Sequence, residues 1–571
     1  MNNKTITSLL KSTATLLVLH GANPFQASHY NQAALLLEKT QHDLAHLSLQ
    51  ALKTLPGLPK SLATLIHEIN TTGTLQRWEE LMAKTPQGVL DILELKGMGP
   101  KKVRALWKQL GIENPAALAQ ACTAGKVAQL PGFGQKTQAS IQENLAWKHQ
   151  QQGKLHYATA LPYATTLVAH LQQAFPALQI SLVGTIRRKM ETIEQVEILI
   201  GTTNTAIVAN WLQNLPDIEP SAQIPGSIAW HGKFLENDLN LTIRFCPPEH
   251  FHTHQILQTG STEHLALPVK TTQSLGAFIT KTPTLDSEAA GYQQAGLPYI
   301  PPELREGHIE QAWIQAGTPP LLEARQLRGV LHTHTTYSDG TCSLETMART
   351  CQEQGYQYIG ITDHSQTASY AGGLTIEDIQ RQHQAIDQLN QQLAPFKIFK
   401  GIESDILSDG SLDYPAQTLA SFDFIIASVH AGLSMNQQQA TDRLLKAIQN
   451  PFTTILGHLT GRLLLKRPGY PIDHQTIIDA CAAHGVIIEL NANPWRMELD
   501  WRWIHYAIEK NVQISINPDA HHQADINNIY YGVCIGRKGS LTKQHTFNTL
   551  SHQQVAQHFQ HRKAAALQKC L

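Results

Sequence analysis

The spacing of apolar positions changes twice along this chain. Over roughly the first 150 residues they recur at helical intervals, as in Ile6, Leu9 and Leu10 or Leu16 and Leu17, broken by short turns of Gly and Pro. That stretch is predicted to be helical. From about residue 155 to 315 the pattern is mixed, and Gln179-Ile180-Ser181-Leu182-Val183, Val196-Glu197-Ile198-Leu199-Ile200 and Leu239-Asn240-Leu241-Thr242-Ile243 read as strands. Gln315 to Gln326, with Pro319 and Pro320, reads as a linker. After it, short apolar runs alternate with stretches of helical spacing such as Leu344 to Gly355 and Thr476 to Gly485. Seven β/α units of this kind predict a TIM-like barrel with its working face at the C-terminal ends of the strands.

Those strand ends carry polar residues suited to metals. Gly329-Val330-Leu331 leads to His332 and His334, Tyr358 to Ile361 leads to His364, and Phe399 to Ile402 leads to Glu403. Phe424 to Val429 leads to His430, Thr454 to Leu456 to His458, Val486 to Leu490 to Asn491, and Val512 to Ile516 to Asp519 and His521. A lone histidine at a strand end is more often structural or solvated than a ligand, and the chain's 29 histidines make accidental pairs common. Convergence of so many donors on one rim is what carries the reading. Imidazole with carboxylate suits Zn²⁺, Mn²⁺ or Fe, and this many donors exceed one four-coordinate site, which points to two or three ions. Such a cluster activates water and clamps phosphoester oxygens. His252-Thr253-His254 repeats the same string with no strand before it, and is assigned to chance.

In the helical region three turns look alike: Leu55-Pro56-Gly57-Leu58-Pro59-Lys60, Leu95-Lys96-Gly97-Met98-Gly99-Pro100-Lys101-Lys102 and Leu130-Pro131-Gly132-Phe133-Gly134-Gln135-Lys136-Thr137. In the last two, Gly-x-Gly before a helix and a Lys suits a hairpin whose amides meet a nucleic-acid phosphate without reading bases, through Gly97, Gly99, Lys101, Gly132, Gly134 and Lys136. The first copy has Pro59 at the second Gly position. Lys+Arg (44) and Asp+Glu (45) cancel, so DNA binding must rest on such local features rather than on a whole-chain field. Seven scattered cysteines without a C-x-x-C pair suit a reducing compartment. No apolar run approaches a membrane span, so a cytoplasmic protein with no membrane partner is expected.

His332-Thr333-His334, Ser338-Asp339-Gly340, Thr362-Asp363-His364-Ser365, Gly401-Ile402-Glu403, Ser428-Val429-His430, Gly457 to Arg462 and Pro518-Asp519-Ala520-His521 resemble the successive motifs of the PHP phosphoesterases. The resemblance implies nine metal ligands: His332, His334, Asp339, His364, Glu403, His430, His458, Asp519 and His521. It implies two or three divalent ions there, Mn or Zn with Fe as a further candidate. Val330 stands where relatives carry Asp, a position that is not a ligand. Upstream, Asn23-Pro24-Phe25, the hairpin turns, Gly184-Thr185-Ile186-Arg187-Arg188, Thr259-Gly260-Ser261 and Pro301 to Glu306 follow in order the bacterial family-X DNA polymerases with a C-terminal PHP domain.

The implied architecture is multidomain. A helical DNA-binding domain spans 1–85, a helix-hairpin-helix domain 86–152, an α+β nucleotidyltransferase-like palm 153–245, a thumb-like domain 246–314 and a linker 315–327. A PHP domain, a distorted (β/α)7 barrel, spans 328–571. The implied activity is a metal-dependent 3′-5′ exonuclease of DNA repair acting on gapped or 3′-ended duplex; protein partners are left open.

The polymerase half departs from its family. The D-x-D pair that holds Mg²⁺ falls on Gln195 and Glu197, and the third Asp on Asn240. Each lost charge is worth about 4 kcal/mol at ~4 Å and an effective dielectric of ~20, as an upper guide, so no Mg²⁺ is expected in the palm. Leu265 replaces an Asn, Val269 stands near an expected Arg, and Gln26 and Ser28 replace basic residues by the 5′-phosphate pocket. Arg187 and Arg188 remain as phosphate binders, and Arg462, Lys466 and Arg467 are further candidates beside the barrel. An inactive polymerase domain that positions DNA is therefore expected. The rival readings are a working gap-filling polymerase, a small-molecule PHP phosphatase and a non-catalytic DNA scaffold.

Overall fold

The computed structural model describes residues 3–38, 44, 47–55, 58–95, 97–221, 228–269 and 273–570. Pro56 and Gly57 of the first turn, and Lys96 of the second, lie outside them. The chain divides into two compact units, Met1–Gln152 and Gly153–Leu571.

The first unit is helical throughout its described residues. One core gathers Ile6, Leu10, Leu52, Ile66 and Ile69, and a second gathers Leu16, Val89, Leu106, Trp107 and Val127. In the second turn Gly97 takes φ +78° and the helix Pro100–Leu110 begins with Pro, whose missing N–H costs nothing at that position. In the third, Gly132 (φ +83°) and Gly134 (φ +72°) bracket Phe133, whose buried ring anchors the start of the helix Gly134–Gln151.

The second unit contains two larger sheets and a two-stranded pair, β1 (Leu155–His156) with β3 (Thr192–Ile193). The palm sheet is built from β2 (Gln179–Val183), β4 (Gln195–Gly201), β5 (Ile218–Pro220), β6 (Ala229–Phe234) and β7 (Asn240–Cys246), in the order β2-β4-β7-β6-β5. All neighbours run antiparallel except β4 and β7, which set Gln195 opposite Asn240 and Glu197 opposite Thr242.

The seven runs of the last region form β8 (Gly329–Val330), β9 (Tyr358–Ile361), β10 (Lys397–Asp405), β11 (Phe424–Ser428), β12 (Ile455–Leu456), β13 (Ile487–Asn491) and β14 (Ile514–Asn517), parallel and in sequence order. Buried on both faces, they read as continuous apolar runs because helices cover the outside and side chains fill the middle. Several covering helices start at capped turns after a strand: Ser343 accepts from Thr346 N at 3.1 Å, and Thr375 with Asp378 and Asn436 with Gln439 form capping boxes.

The barrel is nearly closed, and the last gap is spanned by a single parallel bridge, Thr333 with Ala520, and by a side chain. His334 N donates to Ala520 O (2.8 Å) and Ala520 N to His332 O (3.3 Å) at the top. Lower down, Asn548 Nδ2 donates to Gly329 O (3.0 Å) and Ile516 O (2.9 Å), one side chain serving both edge strands. The bottom is plugged by the terminal helix His552–Cys570, whose Phe559 stacks on Phe424 at 4.9 Å.

The segment expected to be a linker is packed. Leu322 N donates to Leu541 O at 2.8 Å and Leu321 bridges Thr542. The seam between palm, thumb and barrel is also ionic: Glu303 lies 2.9 Å from Lys189 Nζ and 2.8 Å from Arg537 Nε. Glu306 pairs with Arg188 (2.9 Å) and with Lys538, whose side chain is wholly buried.

Candidate metal centre

At the C-terminal rim of the barrel the donors converge on Glu403. His458 Nε2 lies 2.9 Å and His430 Nε2 3.2 Å from its Oε1, and His364 Nδ1 lies 3.0 Å from its Oε2. His332 Nε2 is 3.4 Å from Glu403 and 3.5 Å from Asp519, and His334 Nε2 is 3.2 Å from Asp519. Asp339 lies 3.3 Å from His521 and 3.6 Å from His364. Three groups have donor atoms close enough to share an ion: His334, Asp339, His364 and His521; His332, His334 and Asp519; and His364, Glu403 and His430. They overlap at His334 and His364.

These spacings fit metal ligation. Two donors held about 2.1 Å from one ion sit roughly 3.0–3.4 Å apart, the tetrahedral and octahedral edge lengths. His332 Nε2, both ring nitrogens of His334, and His364 Nδ1 are buried without a hydrogen-bond partner, a costly state that a cation would relieve. Asp519 is held at φ +51°, a strained value for a residue with a side chain.

Charge in this protein-only cluster is shared between donors. Burial opposes ionisation of Glu403 and Asp519, yet the surrounding imidazoles hold both well below the usual carboxylate range. Burial likewise opposes charge on His430, but Glu403 and Asp405 push it up to about 10. His334, buried and flanked by His521 and His364, falls to about 3.

Sequence reasoning missed the residues that hold these donors. Glu489, buried in β13, accepts from His332 Nδ1 (2.6 Å) and His458 N (2.8 Å), and is itself held by Asn491 and Asn517. Asp405 takes His430 Nδ1 at 2.5 Å. Asp363 accepts from Thr335, Ser338 and Gln382, fixing the loop that carries Asp339. The signal was present for Glu489, a charge inside an apolar strand run. Asn491, expected at the rim, donates to Glu489 and Asp519 and stands outside the three groups. His252 and His254 sit on the helix Phe251–Thr259 and belong to none of the three groups.

In the palm, Gln195 is half-buried and Asn240 exposed across one register pair. Glu197 is turned onto Arg244, whose Nη2 and Nε donate to its Oε1 at 2.8 and 3.2 Å. A Cβ at Gly184 would lie 1.9 Å from Glu197 Oε2, so the glycine makes room for the longer side chain. Arg187 and Arg188, expected to meet phosphate, are engaged by the thumb. Arg187 bonds Glu288 (2.5 Å) and Thr259, and Arg188 bonds Glu306 and Thr259 O. Arg462, expected as a phosphate contact, holds Arg496 O, Met497 O and Asp500. Arg467 bonds Gly461 O at 3.2 Å, and Lys466 is exposed.

Barrel and donor cluster together define a PHP-type domain, here joined to helix-hairpin-helix modules: residues 331–493 match the PHP domain family, 1–75 a helix-hairpin-helix domain and 89–146 a SAM-like helix-hairpin-helix tandem. Over 565 residues the sequence is 34% identical to the DNA polymerase/3'-5' exonuclease PolX of Bacillus subtilis (strain 168), covering 97% of this chain and 99% of that protein. The chain belongs to the PolX family. The barrel region is also 28% identical to a probable phosphatase of Thermoanaerobacter sp. (strain X514), over 38% of this chain and 89% of that one. A probable phosphatase of Caldanaerobacter subterraneus is 26% identical over 42% of this chain and 94% of its own.

Proposed function

We propose that this chain removes nucleotides from DNA 3′ ends at the PHP cluster, and that its palm positions DNA without polymerising it. The observation that carries this is the convergence of eight His, Asp and Glu donors in three ion-sharing groups on one barrel rim, with His458 2.9 Å from Glu403 beside them. His332, His334, Asp339, His364, Glu403, His430, His458, Asp519 and His521 would hold two or three divalent ions, Mn or Zn with Fe as a further candidate. When bound, the ions supply an acidified water and positive charge for the phosphodiester oxygens. Glu489 and Asp405 orient His332 and His430 and hold the proton on the far ring nitrogen of each, leaving Nε2 free to ligate.

The hairpins support DNA over a small phosphate ester. Gly99 has φ −76°, which any residue adopts, and a Cβ there would touch nothing within 4 Å. Neither conformation nor packing asks for glycine at that exposed position, whereas close approach of an external backbone does. The helix Pro100–Leu110 starts without a side-chain cap, so its first amides are available to a phosphate, with Lys101 and Lys136 exposed nearby.

The palm reading rests on Arg244. A family-X metal site needs three carboxylates; here one carboxylate is left, and a guanidinium already neutralises it. Purified protein with a 5′-labelled gapped duplex, with and without dNTPs and Mn²⁺, tests both halves. Shortening from the 3′ end with no extension is expected. Extension that disappears on Glu197→Ala would overturn the palm reading, and faster cleavage of phosphomonoesters than of DNA would replace the nuclease by a phosphatase.

A further inference from the structure

Beside the cluster, the loop after β13 presents an exposed indole and a half-used guanidinium. Trp495 is 51% exposed, with its backbone held and one ring face packed. Its backbone N–H donates to Asn493 Oδ1 (3.0 Å), its backbone carbonyl accepts from Leu464 N (2.7 Å), and its ring lies 4.3 Å from that of His156. His156 Nε2 is 3.1 Å from Leu464 O, which closes the loop of contacts through the palm strand β1. The adjacent Arg496 reaches toward the cluster, Nε 3.5 Å from Asp519 Oδ2, while its Nη1 is buried without any hydrogen-bond partner. Arg462 holds the Arg496 carbonyl at 2.8 Å and is itself paired with Asp500 and with Glu191 of the palm.

A large aromatic kept half in water and immobilised from behind is the unusual observation, since packing alone favours its burial. An orphaned guanidinium N–H beside a phosphoesterase cluster calls for an anionic oxygen. We propose that Trp495 and Arg496 form a nucleotide wall, Trp495 stacking an unpaired base at the strand end and Arg496 taking a backbone phosphate, with His156 as the positioning residue behind the indole. Because a π-face accepts any base, the wall selects a frayed or single-stranded end rather than a sequence. The degenerate palm thus contributes to the nuclease site by bracing its substrate wall. This inference rests on the nuclease reading above and names the substrate state that reading leaves open.

The test uses the full chain, a labelled tetranucleotide and its counterpart with abasic sugars at the last two 3′ positions, measured by fluorescence anisotropy in EDTA. Trp495→Ala should weaken binding of the base-bearing ligand about tenfold and change the abasic one less than twofold. Trp495→Phe should restore most of the loss, Arg496→Ala should weaken both ligands, and His156→Ala should reproduce the base-selective loss at smaller size. With Mn²⁺, the same selectivity should appear in KM for 3′-end hydrolysis, with metal content of Trp495→Ala equal to wild type. Equal effects of Trp495→Ala on both ligands, or none on either, would overturn the wall. Base-selective binding by a wild type that hydrolyses no DNA would overturn the nuclease reading and leave the wall standing.

Discussion

The two acidic sites of this chain meet the same electrostatic demand in opposite ways. On the barrel rim, Glu403, Asp519 and Asp339 are surrounded by imidazoles, and ring nitrogens of His332, His334 and His364 are buried there without a hydrogen-bond partner. In the palm, Glu197 is already paired: Arg244 supplies two N–H groups and a permanent positive charge. A guanidinium cannot be deprotonated at working pH and, being part of the chain, does not exchange with solvent as an ion does. On the function proposed above, an exchangeable cation is expected at the first site and none at the second. The difference lies in the partner rather than in the carboxylate, which is why counting acidic residues alone is a poor guide to metal sites.

Removing a rim donor should have the largest effect. Protein purified without chelator should contain more than one transition-metal equivalent, and His332→Ala or Asp519→Ala should lose metal and lower phosphodiesterase activity on the order of a thousandfold; one equivalent or none in wild type would break the comparison at its stronger end. Glu489→Ala, which leaves all nine donors in place, should cost about 10- to 100-fold in metal affinity. Isothermal titration that finds wild-type affinity would show that His332 and His458 need no outer carboxylate.

Lys101→Glu with Lys136→Glu should lower hydrolysis of DNA by roughly tenfold at moderate salt and flatten its salt dependence by about one unit of slope per lysine, with bis-p-nitrophenyl phosphate unaffected. Equal loss on both substrates would remove the hairpins from DNA binding. At the seam, burial works against the charge on Glu303, but Lys189 and Arg537 hold its carboxyl down at about 2. Its stabilising contribution, roughly 3 kcal/mol at neutral pH, is complete above pH about 4.5 and is lost as pH falls toward 2. Glu303→Gln should therefore flatten the acid limb of a thermal-unfolding profile in that window, and an unchanged limb would mean that the pair contributes little. The smallest effect belongs to the palm: Gln195→Ala and Asn240→Ala should change 3′-end hydrolysis less than twofold.

What was legible in the sequence was local. The seven strand runs and the donors at their ends could be read because parallel barrel strands are apolar throughout and stop where the working face begins. Three of the five palm strands, β2, β4 and β7, were equally plain, while β5 and β6 were not read from the sequence. What escaped was pairing between distant residues. Arg187 and Arg188 sit beside Glu288 and Glu306, over a hundred positions away, so two arginines in a phosphate-binding motif turned out to be joints of the thumb. Arg244 reaches Glu197 through the β4–β7 register, and nothing in either strand alone announces it. The linker segment was misjudged for a related reason: two prolines mark a break in regular structure, while the packing of Leu321 and Leu322 on the barrel depends on a loop more than two hundred residues later.

Lys538 is wholly enclosed, and its ammonium is met by Glu306 of the thumb and by the carbonyl oxygens of Arg188 and Glu303. A chain that lost its palm and thumb would leave that cation at an unsatisfied surface beside Trp501, and Arg537 without Glu303. Deletion is thus not a neutral step for this lineage. The barrel's charges depend on palm and thumb whatever chemistry those domains perform, and a shorter descendant would first have to replace Lys538 and Arg537 with residues that tolerate water.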